Sequence, residues 1–310
     1  MKVLVTGGAG FIGGHLVDAL LARGASVRVI DNFSTGSRSN LEHNLGRIEL
    51  VEGDICDPDD IARAVDGVEL VYHEAAIPSV SRSVRDPVAS NRANVGGTVS
   101  VLDAARRAGV KKVVYAASSS AYGDTEVLPK VETMTPLPLS PYAVSKLTGE
   151  HYMSVFARLY GIETLSLRYF NVFGPRQDPN SEYAAVIPKF TTMLLAGERP
   201  RVHGDGEQTR DFCFIENVVS ANLLAAKATT RGEVVNVACG ERVSLNQLCR
   251  QINALLGTNI EPVHGEPRPG DVKHSLADIG AARRVIGYEP LFKLDAGLAK
   301  TVAWYREHAK

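Results

Sequence analysis

The sequence has 310 residues, a formal net charge of −1 at pH 7 and 22% charged residues. This length allows one large α/β unit or two modest domains, and the near balance of charge excludes the basic surface that nucleic-acid binding requires. Four cysteines without C-x-x-C spacing predict free thiols and no metal site, and the lack of a long apolar run predicts a cytoplasmic protein with no membrane partner.

The first half of the chain alternates short apolar segments with helical patterns, as a parallel sheet flanked by helices does. The predicted strands are Lys2–Thr6, Ser26–Ile30, Arg47–Val51, Glu69–His73, Lys111–Ser118 and Glu163–Tyr169. The predicted helices are Phe11–Arg23, Pro58–Val65, Asn91–Ala108 and Pro141–Tyr160. The sequence therefore predicts an α/β fold with a doubly wound parallel Rossmann sheet over residues 1–170.

The second half, residues 171–310, is richer in turns and prolines, and its short strands mix with short helices. Ser244-Leu245-Asn246-Gln247 has the pattern of a capping box that opens one of these helices. We expect a smaller, mixed α/β substrate-binding domain here. The boundary near residue 170 is soft, which leaves room for later chain to return to the edge of the sheet.

A glycine-rich turn, Gly7-Gly8-Ala9-Gly10-Phe11-Ile12-Gly13, joins the first strand to the first helix. Its glycines permit a tight turn and let backbone N–H groups approach a pyrophosphate at the positive end of the helix. Asp31 ends the second strand, where a carboxylate binds the ribose hydroxyls of adenosine and repels a 2′-phosphate. This arrangement predicts NAD rather than NADP as the cofactor.

A hydroxyl-rich strand end and a tyrosine–lysine pair form the second candidate site. Ser118-Ser119-Ser120 ends the fifth predicted strand, and Tyr142 precedes Lys146 by about one helical turn, so the two side chains share a face. A lysine beside a tyrosine favours the phenolate, and the first turn of the helix adds positive potential. A nucleotide loop combined with such a phenol predicts redox chemistry on an alcohol.

Eight short motifs extend over nearly the whole chain: Thr6–Gly13, Asp31–Gly36, Asn94–Thr98, Ser118–Gly123, Ser140–Lys146, Arg168–Pro175, Thr209–Phe212 and Arg268–Asp271. As a set they resemble the motifs of the extended short-chain dehydrogenase/reductases, specifically the UDP-sugar 4-epimerases. The resemblance implies NAD as cofactor and a UDP-sugar as substrate.

The resemblance also implies a role for individual residues. Tyr142 would be the base, Lys146 would contact the nicotinamide ribose, and Ser118 would hold the substrate hydroxyl. The implied cofactor-binding residues are Gly7, Gly10, Phe11, Ile12, Gly13, Asp31, Asn32, Ser34, Thr35, Gly36, Asp54, Ile55, Ala75, Ala76, Asn94, Tyr142, Lys146 and Phe170. The implied substrate-binding residues are Ser118, Ser119, Tyr142, Asn171, Val186, Arg210, Arg268, Asp271 and Ser275.

The implied reaction removes the proton of the sugar 4-hydroxyl and the hydride of C4, and returns the hydride to the other face. Nucleotide-sugar dehydratases and UDP-glucuronate decarboxylases of the same fold usually carry a carboxylate where this chain has Ser120, which favours an epimerase. A non-catalytic NAD(H)-sensing module is an alternative of another class. It predicts a broken tyrosine–lysine pair, whereas both residues are present here.

The sugar is inferred from Ser275, a small residue where relatives restricted to plain hexoses often place tyrosine. Together with Arg176–Asn180 and Tyr183–Pro188, which resemble the N-acetyl-accepting branch, it predicts UDP-GlcNAc and UDP-GalNAc, with UDP-glucose and UDP-galactose, as substrates. UDP-glucuronate remains an alternative.

The resemblance implies a homodimer in which helices Asn91–Ala108 and Pro141–Tyr160 pair across a two-fold axis. Apolar positions on these helices are equally explained as the sheet-facing stripe of a monomer: Val95, Val99, Leu102, Leu147, Val155 and Leu159.

Overall fold

The computed structural model describes residues 1–179, 185–266 and 272–308. In this part of the chain the strands are β1 (Lys2–Thr6), β2 (Ser26–Asp31), β3 (Ile48–Glu52), β4 (Leu70–His73), β5 (Lys112–Ser118), β6 (Glu163–Tyr169), β7 (Val172–Phe173), β8 (Arg201–His203), β9 (Thr209–Arg210), β10 (Cys213–Phe214), β11 (Glu233–Val237), β12 (Val243–Ser244) and β13 (Val263–Gly265).

The α-helices are α1 (Phe11–Ala22), α2 (Pro58–Val65), α3 (Val80–Arg85), α4 (Pro87–Asn91), α5 (Gly97–Arg107), α6 (Pro141–Tyr160), α7 (Val186–Leu195), α8 (Ile215–Ala225), α9 (Leu245–Leu256), α10 (Gly280–Ile286) and α11 (Leu294–His308). A π-helical turn, Arg92–Gly96, precedes α5, and short 3₁₀ turns cover Arg38–Asn40, Glu42–Arg47 and Ser119–Tyr122. Within the described ranges, no helix is both long and apolar enough to cross a membrane.

Seven strands form one parallel sheet in the order β11-β6-β5-β4-β1-β2-β3. The chain builds outward from β1 in one direction through β2 and β3, and in the other through β4, β5 and β6. The direction of winding therefore changes between β1 and β4, where a doubly wound sheet has its ligand crevice. This topology confirms the predicted fold class. The edge strand β11 comes from the second half of the chain and pairs with β6.

Side chains alternate between the two faces of the sheet, and each face is covered by its own apolar cluster. On one face Val114 and Leu167 pack with residues of α1 and α8, and on the other Val113 packs with Met153 of α6. Because both faces are buried, the strands are nearly continuous in apolar residues. Because both faces of the sheet are packed against helices, the sheet holds the loops at its carboxyl ends in defined positions.

The predicted elements of the first half agree with the structure to within a residue or two, apart from one region. The predicted helix Asn91–Ala108 is divided, because the π-helical turn Arg92–Gly96 precedes α5. Two adjacent glycines weaken the helix at this point. An added Cβ on Gly97 would lie 2.5 Å from the Ile55 side chain, so the close approach of α5 to that residue requires glycine.

The second half contributes β11 to the large sheet and forms three two-stranded pairs, β10 with β7, β12 with β9 and β13 with β8. The capping box predicted at α9 is confirmed: Ser244 Oγ accepts a hydrogen bond from Gln247 N at 3.2 Å, and Gln247 Oε1 accepts one from Ser244 N at 3.1 Å. The boundary of a separate substrate-binding domain stays a prediction.

Candidate active site

The turn between β1 and α1 is closed so tightly that no side chain fits at Gly7 or Gly13. A Cβ added to Gly13 would lie 2.2 Å from the Gly7 carbonyl oxygen, and one added to Gly7, which has a φ of 70°, would lie 2.7 Å from Ala75 Cα. Gly10, at the cap of α1, has no side chain to satisfy the N–H groups of the first turn. The turn therefore fits the pyrophosphate of a dinucleotide.

Asp31, at the end of β2, holds the glycine turn in place. Its Oδ2 accepts a hydrogen bond from Ala9 N at 2.9 Å and its Oδ1 accepts one from Phe33 N at 2.8 Å. Burial raises the pKa of Asp31, and the two backbone hydrogen bonds act in the opposite direction. The nearby Arg38 forms a bidentate ion pair with Glu52, with hydrogen bonds of 2.8 and 2.5 Å. The Glu52 carboxylate therefore offsets the positive charge of Arg38. These features fit an unphosphorylated ribose, as in NAD.

The other predicted cofactor residues also lie at the carboxyl ends of strands. Asp54 and Ile55 follow β3, Ala75 and Ala76 follow β4, and Phe170 follows β6. Asn32 and Ser34–Gly36 follow β2, whereas Phe11 and Ile12 begin α1. The strand ends thus bring together residues that are far apart in the sequence.

Asn94, in the π-helical turn, links two parts of the site. Its Oδ1 accepts a hydrogen bond from Ile77 N at 2.8 Å, and its Nδ2 donates to Ser145 Oγ of α6 at 3.0 Å. The segment after β4 is thereby tied to the helix that carries Tyr142 and Lys146. The cofactor contact predicted for Asn94 stays a prediction.

Tyr142 lies in the first turn of α6 and is fixed there by capping groups. Ser140 Oγ accepts a hydrogen bond from Ala143 N at 3.1 Å, and Ser83 Oγ accepts one from Tyr142 N at 3.0 Å. Ser118, at the end of β5, lies close enough to the Tyr142 hydroxyl to act on its pKa. The structure thus brings two of the three predicted catalytic side chains near each other.

Lys146, the third predicted catalytic residue, is 3% exposed, and its Nζ donates a hydrogen bond to the Ala116 carbonyl at 2.7 Å. Burial lowers the pKa of Lys146 to about 8, while the carboxylates of Glu74 and Glu150 act to raise it. A lysine with this pKa changes charge close to neutral pH.

The expected lowering of the Tyr142 pKa by Lys146 is wrong for the polypeptide alone. Burial raises the pKa of Tyr142, and only the hydrogen bond with Ser118 acts to lower it. The physical reason is that the phenol loses water on burial, while the ammonium of Lys146 is directed to the Ala116 carbonyl.

The predicted substrate residues Asn171 and Ser275 lie next to each other. Asn171 Nδ2 donates hydrogen bonds to Ser275 Oγ at 3.1 Å and to the Asp211 carbonyl at 2.9 Å. Val186 begins α7, and Ser119 begins the 3₁₀ turn after β5. Arg268 and Asp271 lie outside the described residues, as do Asn180, Tyr183 and Ala184 of the segments assigned to the N-acetyl branch.

Arg210 lies beside a cationic cavity. Its Nη1 donates hydrogen bonds to the carbonyls of Thr209 and Lys273 at 3.0 and 3.1 Å. It also lines a cavity of about 510 Å³, in which four cationic side chains outnumber two carboxylates: Arg210, Arg242, Arg250 and Lys293 against Glu241 and Asp295. Guanidinium groups bind phosphate oxygens in pairs of hydrogen bonds, so this region suits an anionic ligand.

Two contributors to the site are absent from the sequence-based prediction. Ser83 of α3 supports the backbone of Tyr142 from 59 residues away, and no local pattern identifies such a contact. Glu74 follows the buried strand β4 and precedes two alanines, and its carboxylate accepts a hydrogen bond from Tyr169. The sequence signal for Glu74 was an acidic residue directly after a strand of four apolar or buried residues, Leu70–His73. Among the described residues, no group of three or more His, Cys, Asp or Glu side chains is arranged to hold a metal ion.

Comparison with protein families matches residues 3–238 to the NAD dependent epimerase/dehydratase family. A relative from Mycolicibacterium smegmatis, UDP-glucose 4-epimerase, is 41% identical over 100% of both chains. More distant is UDP-glucuronic acid decarboxylase 1 of Xenopus tropicalis, 33% identical over 99% of this chain and 72% of the relative.

Solved structures similar to this one include UDP-glucose 4-epimerase from Thermotoga maritima with UDP-glucose, with a TM-score of 0.96, 40% identity and 100% of both chains covered. UDP-N-acetylglucosamine 4-epimerase from Methanobrevibacter ruminantium, in complex with UDP-N-acetylmuramic acid, has a TM-score of 0.95 and 40% identity, with 99% and 98% covered. UDP-glucuronic acid 4-epimerase from Bacillus cereus, with UDP-glucuronic acid and NAD, has a TM-score of 0.92 and 32% identity, with 99% and 100% covered.

Proposed function

Because this chain belongs to the NAD-dependent epimerase/dehydratase family, we propose that it inverts carbon 4 of a UDP-hexose by transient oxidation to a 4-keto sugar. The observation that carries the proposal is that α6 brings Tyr142 and Lys146 to the end of β5, where Lys146 Nζ donates to the Ala116 carbonyl, two residues before Ser118. Relatives that are similar over their whole length support it, since those with 40–41% identity are UDP-sugar 4-epimerases.

The polypeptide's part in this reaction is to hold and move one proton. Ser118 Oγ orients the sugar 4-hydroxyl, and Tyr142 Oη takes its proton and later gives it back. Bound NAD supplies reversible storage of the C4 hydride. Since the keto sugar must turn over between the two transfers, binding energy has to be concentrated on the UDP group, which leaves the hexose free to rotate.

Arg210, with Arg268 and Asp271, would anchor the UDP group. The cationic cavity beside Arg210 supports an anionic ligand in this region. Closure of the site around the keto sugar would keep it from escaping or reacting with water.

We assign UDP-GlcNAc and UDP-GalNAc, together with UDP-glucose and UDP-galactose, as the substrates. Ser275 supports this choice, because it presents a small hydroxyl side chain beside Asn171 where a larger residue would occupy space. The similar UDP-N-acetylglucosamine 4-epimerase from Methanobrevibacter ruminantium supports it too. UDP-glucuronate epimerisation is the second candidate, favoured by the similarity to the Bacillus cereus enzyme.

Position 120 bears on the choice between epimerase and decarboxylase or dehydratase. Ser120 Oγ donates a hydrogen bond to Ser118 Oγ at 2.9 Å, so its side chain lies beside the catalytic serine. A hydroxyl at this point is a poor acid or base for chemistry at C5 or C6 of the sugar. This supports the epimerase.

The test is incubation of the NAD-loaded protein with UDP-GlcNAc, UDP-glucose, UDP-galactose and UDP-glucuronate, with products identified by proton NMR. We expect C4 epimers of the first three sugars. Tyr142→Phe is expected to lower turnover by about 10²-fold or more with an unchanged melting temperature, because it removes the proton acceptor.

Three results would contradict the proposal. Release of CO₂ from UDP-glucuronate would identify a decarboxylase, and a stable 4-keto product would identify a dehydratase. Near-normal turnover by Tyr142→Phe would remove that residue as the base.

We also propose that the protein is a homodimer formed through α6. Val144, Val155 and Leu159 are 49%, 45% and 69% exposed on one side of this helix. Val84 and Val88 are 64% and 78% exposed on α3 and α4, which both neighbour α6. Exposed apolar side chains grouped on neighbouring helices are typical of a protein–protein contact.

A further inference from the structure

A carboxyl group that the proposed reaction does not use lies at the same end of the sheet. Glu74 directly follows β4, and its Oε1 accepts a hydrogen bond from the Tyr169 hydroxyl at 2.9 Å. Asn222 Nδ2 of α8 donates to the Tyr169 oxygen at 2.7 Å. Because a phenol has a single hydrogen and its oxygen already accepts from Asn222, the Tyr169 O–H is directed to Glu74. The carboxyl group is therefore held in one orientation.

The pairing of β4 with β5 places Glu74 near Lys146. In this register His73 is opposite Tyr115, so Glu74 lies one step further, beside Ala116. The Ala116 carbonyl is the acceptor of the hydrogen bond from Lys146 Nζ. Lys146 and Glu74 thus approach the ends of neighbouring strands, where their opposite charges interact.

The groups that can carry charge around Lys146 come from four elements: His73 and Glu74 at the end of β4, Tyr115 in β5, Arg168 and Tyr169 in β6, and Tyr142 and Glu150 in α6. Glu150 is neutralised by Arg168, with two hydrogen bonds of 2.8 and 2.7 Å. Burial lowers the pKa of His73 to about 3, so its ring is neutral.

Glu74 is the variable charge in this set. No lysine or arginine in the described ranges forms an ion pair with it within 4 Å. Burial raises the pKa of Glu74 to about 7, with the Tyr169 hydrogen bond and the Lys146 charge acting to lower it. Its carboxyl group therefore changes charge in the pH range in which Lys146 does.

We propose that Glu74, held by Tyr169 and Asn222, is a positioning residue that acts on Lys146 and sets the upper pH limit of the reaction. A charged Glu74 keeps Lys146 protonated, whereas without that charge Lys146 loses its proton at lower pH. The inference rests on the proposed function, because it concerns the same Tyr142 and Lys146.

The test compares Glu74→Gln with the wild-type holoenzyme across the pH range. Glutamine keeps an oxygen that accepts from Tyr169 but removes the negative charge, so Lys146 should release its proton at lower pH. We expect the high-pH limb of the pH profile of kcat/KM to move down by about half a pH unit or more. The low-pH limb should stay in place, because Glu74 is already neutral there. KM at the optimum pH should be unchanged, because Glu74 is assigned no contact with the sugar.

A second readout does not depend on activity. Since the folded-state pKa of Glu74 is raised from 4.5 to about 7, its contribution to stability is fully present at low pH and is lost as the pH rises through about 7. The melting temperature of Glu74→Gln should therefore equal that of the wild type near pH 4 and exceed it above pH 8. Glu198→Gln, a change of an exposed carboxylate, is the matched control and should alter neither readout.

Tyr169→Phe is the second variant. Without the Tyr169 hydroxyl the charged form of Glu74 loses a hydrogen bond, so the pH profile should move in the same direction as in Glu74→Gln but less far. Superimposable profiles for the wild type and an active Glu74→Gln would overturn the inference and leave the proposed function intact. Absence of C4 epimerisation by the wild type would overturn both.

Discussion

At Tyr142 two effects act on the phenol in opposite directions. Burial raises its pKa, and the hydrogen bond with Ser118 lowers it. The sequence singled out Ser118, Tyr142 and Lys146 as candidates, because the spacing of Tyr142 and Lys146 on a helix is a local property, and their catalytic roles stay predictions. It did not predict the direction of the pKa shift. That direction depends on burial and on the Lys146 contact with Ala116, which the tertiary structure creates.

Ser275 is the residue at which sugar selectivity can be tested. Its Oγ lies 3.1 Å from Asn171 Nδ2 and 3.4 Å from Asp211 N, so a larger side chain would have to project into the space beside Asn171. We expect Ser275→Tyr to lower kcat/KM for UDP-GlcNAc relative to UDP-glucose by about tenfold or more.

The control for this prediction is Ser275→Ala, which adds no volume and should leave the ratio of the two kcat/KM values within a few-fold of that of the wild type. Both sugars are measured with a coupled assay. An unchanged ratio in Ser275→Tyr would show that position 275 does not limit the space beside the sugar.

At the scale of elements, the turn between β1 and α1 allows a steric prediction. Gly13→Ala would place a Cβ 2.2 Å from the Gly7 carbonyl oxygen, and backbone cannot yield as a flexible side chain does. The shift needed should cost about 1–3 kcal/mol of folding free energy and weaken NAD binding. Thermal unfolding and calorimetric titration with NAD measure the two effects.

Gly46→Ala is the matched control, since a Cβ added at Gly46 has no atom within 4 Å. It should leave NAD affinity unchanged. If Gly13→Ala binds NAD as tightly as Gly46→Ala does, the glycine turn is not the pyrophosphate cradle.

The strands β1 and β6 and the helices α2 and α6 have the predicted bounds. Their hydrophobic periodicity and their capping residues are properties of the local sequence. The division of the helix before α5 was missed. It depends on the contact of Gly97 with Ile55 and on the hydrogen bonds of Asn94 with Ile77, across the fold. The short helices α3 and α4 were missed as well, since five or six residues give too little periodicity.

At the scale of the whole molecule, the resemblance to the extended short-chain dehydrogenase/reductases and UDP-sugar 4-epimerases is confirmed by the family match and by relatives at 40–41% identity. The contact of Glu74 with Tyr169 joins residues 95 positions apart. This contact depends on the order of the strands in the sheet, so it cannot be predicted from the local sequence around either residue.

The proposed homodimer leads to a test of assembly. Leu159 is 69% exposed on α6, so Leu159→Lys would place a charge within the apolar contact and should shift sedimentation velocity from dimer to monomer. Leu291→Lys, at a position 63% exposed and away from α6, should leave the assembly unchanged. Equal sedimentation of the two variants would exclude α6 as the dimer contact.

The pairing of β11 with β6 has a consequence for dissection of the chain. A fragment that stops at residue 170 would leave the backbone groups of β6 unpaired along its outer side. An unpaired edge strand of this kind can pair with strands of other molecules, which promotes aggregation. Truncation experiments should therefore retain Glu233–Val237 with the nucleotide-binding portion.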